Sequence, residues 1–127
     1  RWSEAAHVDW QVLDLTLGYH GAPQVFYFEP HRKWYLIYQA ADDSRGLEYG
    51  PCYSTTDTLS DAISWTKPEP LYVVPEGEKA GLDFWVICDD VHAHLMFTSL
   101  DGRMWHSETN LDDFPDRGWT RPVIRTN

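Results

Sequence analysis

Three tryptophans mark the same point in a repeating unit: Trp10 and Trp65 stand 55 residues apart, Trp65 and Trp119 stand 54 apart. Around the second and third the match runs well past tryptophan. Tyr53-Ser54-Thr55-Thr56-Asp57-Thr58-Leu59 followed by Ser64-Trp65-Thr66-Lys67-Pro68 answers to His106-Ser107-Glu108-Thr109-Asn110-Leu111 followed by Gly118-Trp119-Thr120-Arg121-Pro122. The first tryptophan keeps only the tail of the unit, Asp9-Trp10-Gln11-Val12-Leu13. A period in this range, built of short strands, is the sequence signature of a β-propeller blade.

If each tryptophan closes one blade, residues 1–17 end a blade, and 18–74 and 75–127 form two nearly whole ones. Closing a propeller ring takes about 4–8 blades, and a repeat unit cannot bury its apolar faces without neighbours. The expected fold is therefore all-β: part of a propeller, two four-stranded antiparallel blades plus the tail of another. The 127 residues then form an internal piece of one larger domain. The competing expectation is a complete small all-β domain with a coincidental tryptophan spacing.

Composition narrows the partners. Twenty acidic against ten basic side chains give a net charge of −10. That field repels phosphate backbones and anionic membranes, so neither nucleic acid nor a membrane is an expected partner. No apolar stretch approaches the length of a transmembrane span. Seven tryptophans and seven tyrosines offer flat amphipathic rings suited to sugar faces. Neither Cys52 nor Cys88 has a spacing that implies a bridge, and Cys88, at the end of an inner strand, is expected to be a buried free thiol.

Apolar runs and turn residues place the strands. Gln24–Phe28 is a short, nearly continuous apolar run, and Trp34–Gln39 returns antiparallel after the polar turn 29–33. A polar loop, 42–50, leads to a third strand near Cys52–Thr56, 57–64 makes a short helical turn, and Leu71–Val74 is outermost. The second blade repeats the plan with Phe84–Cys88, Ala93–Thr98 and Arg103–Ser107. Asp101-Gly102 is a strong hairpin signal.

Sites in propellers collect where the innermost strands start. Two such entrances occur here, 20–24 and 81–85. Asp83 stands between Leu82 and Phe84 at the head of a strand with no other charge until Asp89, so it is either solvated or turned into the channel. Ala22 and Pro23 occupy the matching entrance, either as small rigid residues that let a ligand approach or merely as a strand start marked by proline. His92 and His94 share one strand face, but no third ligand accompanies them at zinc-type spacing, and an exposed turn accounts for both. The acidic pairs Asp42-Asp43, Asp89-Asp90 and Asp112-Asp113 are expected to be solvated turns. Glu108 is expected at the surface.

Gly18–Phe28, Lys33–Gln39, Trp65–Pro68, Asp83–Asp89 and Asn110–Pro115, in this order, resemble glycoside hydrolase family 62, the α-L-arabinofuranosidases. The resemblance covers nearly the whole chain from Trp10 onward. It implies a secreted five-bladed propeller, monomeric when complete, that removes arabinofuranosyl branches from arabinoxylan or arabinan with inversion. Inversion uses a general base on water and a general acid on the leaving oxygen. The family adds a third carboxylate that tunes and orients the acid, and Asp83 matches it. Ala22 and Pro23 match the wall of the arabinose pocket, with Gln24 and Phe84 beside them as substrate-binding positions. The family's base lies upstream of Arg1 and its acid beyond Asn127, so the segment alone is expected to be inactive. No cofactor is implied; calcium sits in some such channels, but its ligand is not identifiable here. A non-catalytic carbohydrate-binding propeller and a family 43-like glycosidase are the alternatives, separable by the flanking sequence.

Overall fold

A computed structural model describes residues 19–42, 46–75, 77–78 and 81–125 of the chain. Residues 1–17, with Trp10 and the expected blade tail, lie outside that set, as does Asp43. Strands β1 (Tyr19–Phe28), β2 (Lys33–Asp42), β3 (Leu47–Thr56) and β4 (Glu69–Pro70) form one antiparallel sheet in sequence order. Strands β5 (Leu82–Cys88), β6 (His92–Thr98), β7 (Met104–Asn110) and β8 (Val123–Ile124) form a second sheet of the same design.

The tryptophan repeat acquires a physical meaning in these sheets. Thr66, next to Trp65, donates its backbone N–H to the Thr55 carbonyl at 2.9 Å, and its hydroxyl accepts the Thr55 N–H at 2.8 Å. Thr120, next to Trp119, does the same to Glu108, at 2.9 and 3.0 Å. The Trp-Thr pair thus ties the outer segment of each sheet to its third strand. Trp65 is buried, and the Trp119 indole donates to the Pro115 carbonyl at 2.8 Å.

The two sheets pack face to face. Phe28, Tyr35, Ile37 and Leu71 from the first meet Phe84, Val86, Ala93, Leu95 and Phe97 from the second, with Phe114 between the aromatic rings. Ile37, Ala93 and Leu95 are wholly buried, and removing a large aliphatic side chain from water contributes roughly 1.5–3 kcal/mol. The far face of the first sheet carries a second cluster of Leu36, Tyr38, Ala40, Cys52 and Trp65. Among the described residues nothing covers the far face of the second sheet, where Trp85 and Ile87 are about half exposed.

The strands begin and end differently from several expectations. The first starts at Tyr19 rather than Gln24, because a bulge between Gly21 and Gln24 lets pairing continue to Tyr19↔Ala41. The loop expected over 42–50 is largely strand, since Gly50 and Pro51 are buried opposite Ala40 and Gln39. Pro51 has no N–H to give, but its carbonyl accepts from Leu71 at 2.9 Å. That bond anchors the outer segment one step early, so the outermost strand is Glu69–Pro70 and not Leu71–Val74. Residues 57–64 form successive turns closed by Asp61 to Thr58 and Ser64 to Asp61 bonds rather than a helix. Cys88 is exposed and Cys52 is the buried thiol: alternation along β5 turns Phe84 and Val86 inward, and the chain leaves the core by Cys88. The Asp101-Gly102 hairpin is present, with Gly102 at φ 83° donating to Ser99 at 2.9 Å.

Candidate active site

The first strand of each sheet opens on the same irregularity. In β1 the register slips by one residue between Gly21 and Gln24, and in β5 it slips between Leu82 and Trp85. At each bulge a residue other than glycine takes the left-handed conformation: Ala22 at φ 49° and Asp83 at φ 55°. That region is disfavoured for residues with a Cβ, costing about 1–2 kcal/mol. It persists where surrounding contacts impose it, which is common at functional sites. Ala22, Pro23 and Asp83 are all exposed there.

The contacts that impose it are visible. Gly81, just ahead of Asp83, lies so close to β6 that a Cβ would fall 2.3 Å from the Phe97 ring and 2.9 Å from the Thr98 carbonyl. The backbone N–H of Asp83 donates to Gln39 Oε1 at 2.9 Å. Gln39 is itself buried, and its Nε2 donates to the Tyr19 hydroxyl at 2.7 Å. Tyr19 faces Tyr49 with ring centroids 6.0 Å apart. Burial pushes the Tyr49 phenol up, and the Tyr19 and Asp83 charges push it the same way. A carboxylate, two phenols and a fixed amide therefore converge at the head of β5.

Sequence reasoning named Ala22, Pro23 and Asp83, and these lie at the two strand heads. It missed Gln39, Tyr19 and Tyr49. The available signal for Gln39 was its polar amide at the end of the apolar run Trp34–Tyr38; nothing in chain order pairs it with Asp83. Gln24 and Phe84, named with them, have side chains that turn inward from the strand heads. The Gln24 side chain is buried between the sheets, where Nε2 donates to the Val86 carbonyl at 2.7 Å and Oε1 accepts the Val86 N–H at 2.8 Å. With both amide atoms engaged, it acts as a strand partner for the free edge of β5. Phe84 is 2 % exposed and packs on Phe97 with centroids 5.3 Å apart, so its ring is core. Asp42, expected as a solvated turn residue, is also buried.

Comparison with known proteins places this geometry. The profile described as Glycosyl hydrolase family 62 matches residues 1–124. The chain belongs to glycosyl hydrolase family 62. Alpha-L-arabinofuranosidase C of Cellvibrio japonicus (strain Ueda107) is 45 % identical over 96 residues, 75 % of this chain and 13 % of that protein. Among solved structures, the catalytic domain of the Coprinopsis cinerea GH62 alpha-L-arabinofuranosidase superposes with a TM-score of 0.72 at 37 % identity. The Podospora anserina alpha-L-arabinofuranosidase PaAbf62A in complex with cellotriose gives 0.67 at 35 %. A GH62 hydrolase in complex with xylotriose gives 0.71 at 37 %. Each superposition covers 88 % of this chain but only 36–37 % of the solved one. This family 62 chain thus spans little more than a third of its solved relatives.

Proposed function

We propose that the intact protein carrying this chain hydrolyses α-L-arabinofuranosyl branches of arabinoxylan or arabinan with inversion, and that Asp83 tunes and orients the general acid. The two sheets are then two blades of a secreted, monomeric five-bladed propeller whose β1 and β5 line the central channel. Family membership and the 45 % identity to an arabinofuranosidase support the reaction. The single observation that carries the role of Asp83 is its left-handed backbone at the head of β5, pinned by Gln39.

In an inverting glycosidase one carboxyl group protonates the leaving oxygen while a second activates water from the opposite face, the two standing roughly 6.5–9.5 Å apart. A third carboxylate beside the acid disfavours the acid's ionised form and keeps it protonated at working pH. Asp83 does this without itself exchanging a proton with substrate. The effect of a charge on its neighbour weakens with separation, so the carboxylate has to be held close to the acid. The Gln39–Tyr19 tether supplies that constraint from the adjoining sheet. Ala22 and Pro23, lacking bulk, leave room for a furanose ring against the first strand head.

The test is to incubate the intact protein with wheat arabinoxylan and follow the sugar released by proton NMR from the first minutes. Release of free arabinose whose initial anomer is opposite to that of the linkage supports the assignment. Retention of configuration, or no arabinose at all, overturns it.

A further inference from the structure

A second cluster of chemistry-bearing side chains lies at the other end of the second sheet, on its far face. His94 in β6 stands directly across from Glu108 in β7, and His106 is across from Met96, the next residue on the same face of β6. His94 Nδ1 is 2.9 Å from His106 Nε2 and 3.6 Å from Glu108 Oε2, and donor atoms of all three lie within 4.8 Å of one another. The imidazoles stack with centroids 5.1 Å apart. Among the described residues all three side chains are partly buried.

We propose that His94 Nδ1, His106 Nε2 and Glu108 Oε2 form a divalent metal site, zinc by its donor set. At metal–nitrogen distances of about 2.0–2.1 Å, tetrahedral donors stand roughly 3.3 Å from one another. The two separations from His94 bracket that value, and the third lies within 4.8 Å, so side-chain rotations alone can close the set. Two neutral imidazoles and one carboxylate suit zinc better than calcium or magnesium, which favour all-oxygen sets. Chain order conceals the site, because its ligands come from two strands joined by hairpin register.

The surroundings are those of a ligand set. Asp89 Oδ2 lies 2.7 Å from His94 Nε2, the far nitrogen of that ring. Carboxylates in this position fix the tautomer of a metal-binding histidine and sharpen its basicity. Asp89 is itself held by the backbone N–H groups of Val91 and His92, at 2.8 and 2.7 Å. His92 supplies an alternative grouping with Asp89 and His94, but that grouping would remove Asp89 from its orienting position.

Arg125 gives the site a distinguishing feature. Its Nε and Nη2 approach His106 Nδ1 at 3.3 and 3.1 Å. A guanidinium only donates, so Nδ1 is the bare nitrogen of that ring and the proton sits on Nε2, donated to His94. Loading a metal on Nε2 moves this proton to Nδ1, and the exposed Arg125 must then release the ring. No net proton is lost. Arg125 therefore competes with the metal.

The experiment is calorimetric titration of the intact protein with Zn²⁺, with Co²⁺ as a visible-absorption probe of tetrahedral coordination. Saturable one-to-one binding is expected. His106→Phe and the isosteric Glu108→Gln should each weaken it at least tenfold, and Asp89→Asn by about 10- to 100-fold. Arg125→Gln should tighten binding, a result that nonspecific surface binding would not give. Circular dichroism of each variant separates lost ligation from lost fold. The proposal is overturned by the absence of saturable binding, by unchanged affinity in folded Glu108→Gln, or by sensitivity to His92→Ala with none to His106→Phe.

Discussion

Gln39 Oε1 accepts the backbone N–H of Asp83 across the junction of the two sheets, at 2.9 Å, while the same amide donates to Tyr19 at 2.7 Å. The side chain of one sheet thereby sets the backbone conformation of the strand head that carries the candidate carboxylate. If that is its role, shortening or emptying the tether should alter catalysis more than folding. Gln39→Leu leaves the Asp83 N–H without its acceptor and the Tyr19 hydroxyl without its donor. Both stranded groups belong to exposed residues, so each loss costs at most about 1–3 kcal/mol. The expected outcome is a drop in kcat of about tenfold or more with KM little changed, measured on arabinoxylan, and a protein that still unfolds cooperatively.

Gln24 makes the complementary prediction. Both of its amide atoms bond the Val86 backbone between the sheets, and the residue is 9 % exposed. Gln24→Leu leaves a buried N–H and a buried carbonyl unpaired, each costing about 1–3 kcal/mol. Urea denaturation should show a loss of roughly 2–5 kcal/mol. A variant as stable as the parent would mean that solvent reaches this edge of β5.

Alkaline pH tests the aromatic core. Burial first, then the charges of Asp116 and Glu69, push the Tyr53 phenol up to about 12, and its hydroxyl lies 3.4 Å from an Asp116 oxygen. Tyr35 moves in the same direction, chiefly through burial. A phenol whose pKa is raised by folding stays protonated in the folded state while the unfolded chain ionises. Its contribution is intact below about pH 10 and is lost as pH climbs toward 12. Stability should fall over that window, and Tyr53→Phe should flatten the fall. An unchanged pH profile in Tyr53→Phe would remove this phenol from the account.

Gly81 tests how tightly the strand head is held. A methyl group there would meet the Phe97 ring and the Thr98 carbonyl, and overpacking of this kind costs typically about 1–3 kcal/mol. Gly81→Ala should lower the melting temperature and, by displacing Asp83, lower kcat as well. A melting temperature equal to the parent's would show that β5 can move away from β6 freely.

The repeat was legible because the Trp-Thr pair does the same hydrogen-bonding work twice, and such work leaves a periodic trace in sequence. The strand cores were legible because Tyr35, Leu36, Ile37, Phe84 and Val86 are covered and apolar. Strand ends were less so. Pro51 reads as a breaker, yet it sits inside β3 because its missing N–H is not needed there and its carbonyl is. The two bulges, the left-handed Ala22 and Asp83, and the Gln39 tether depend on register between strands. So does the His94–His106–Glu108 cluster. Spacing along the chain carries no such information, nor does it show that alternation turns Gln24 and Phe84 toward the neighbouring sheet.

The most direct measurement is the pH dependence of kcat for Asp83→Asn in the intact protein. Replacing the charge with a neutral amide of the same shape lets the neighbouring general acid ionise at lower pH. The account predicts turnover reduced by about 10²- to 10⁴-fold, an upper pH limb displaced to lower pH, and a melting temperature close to that of the parent. Near-normal kcat with an unshifted upper limb would contradict it.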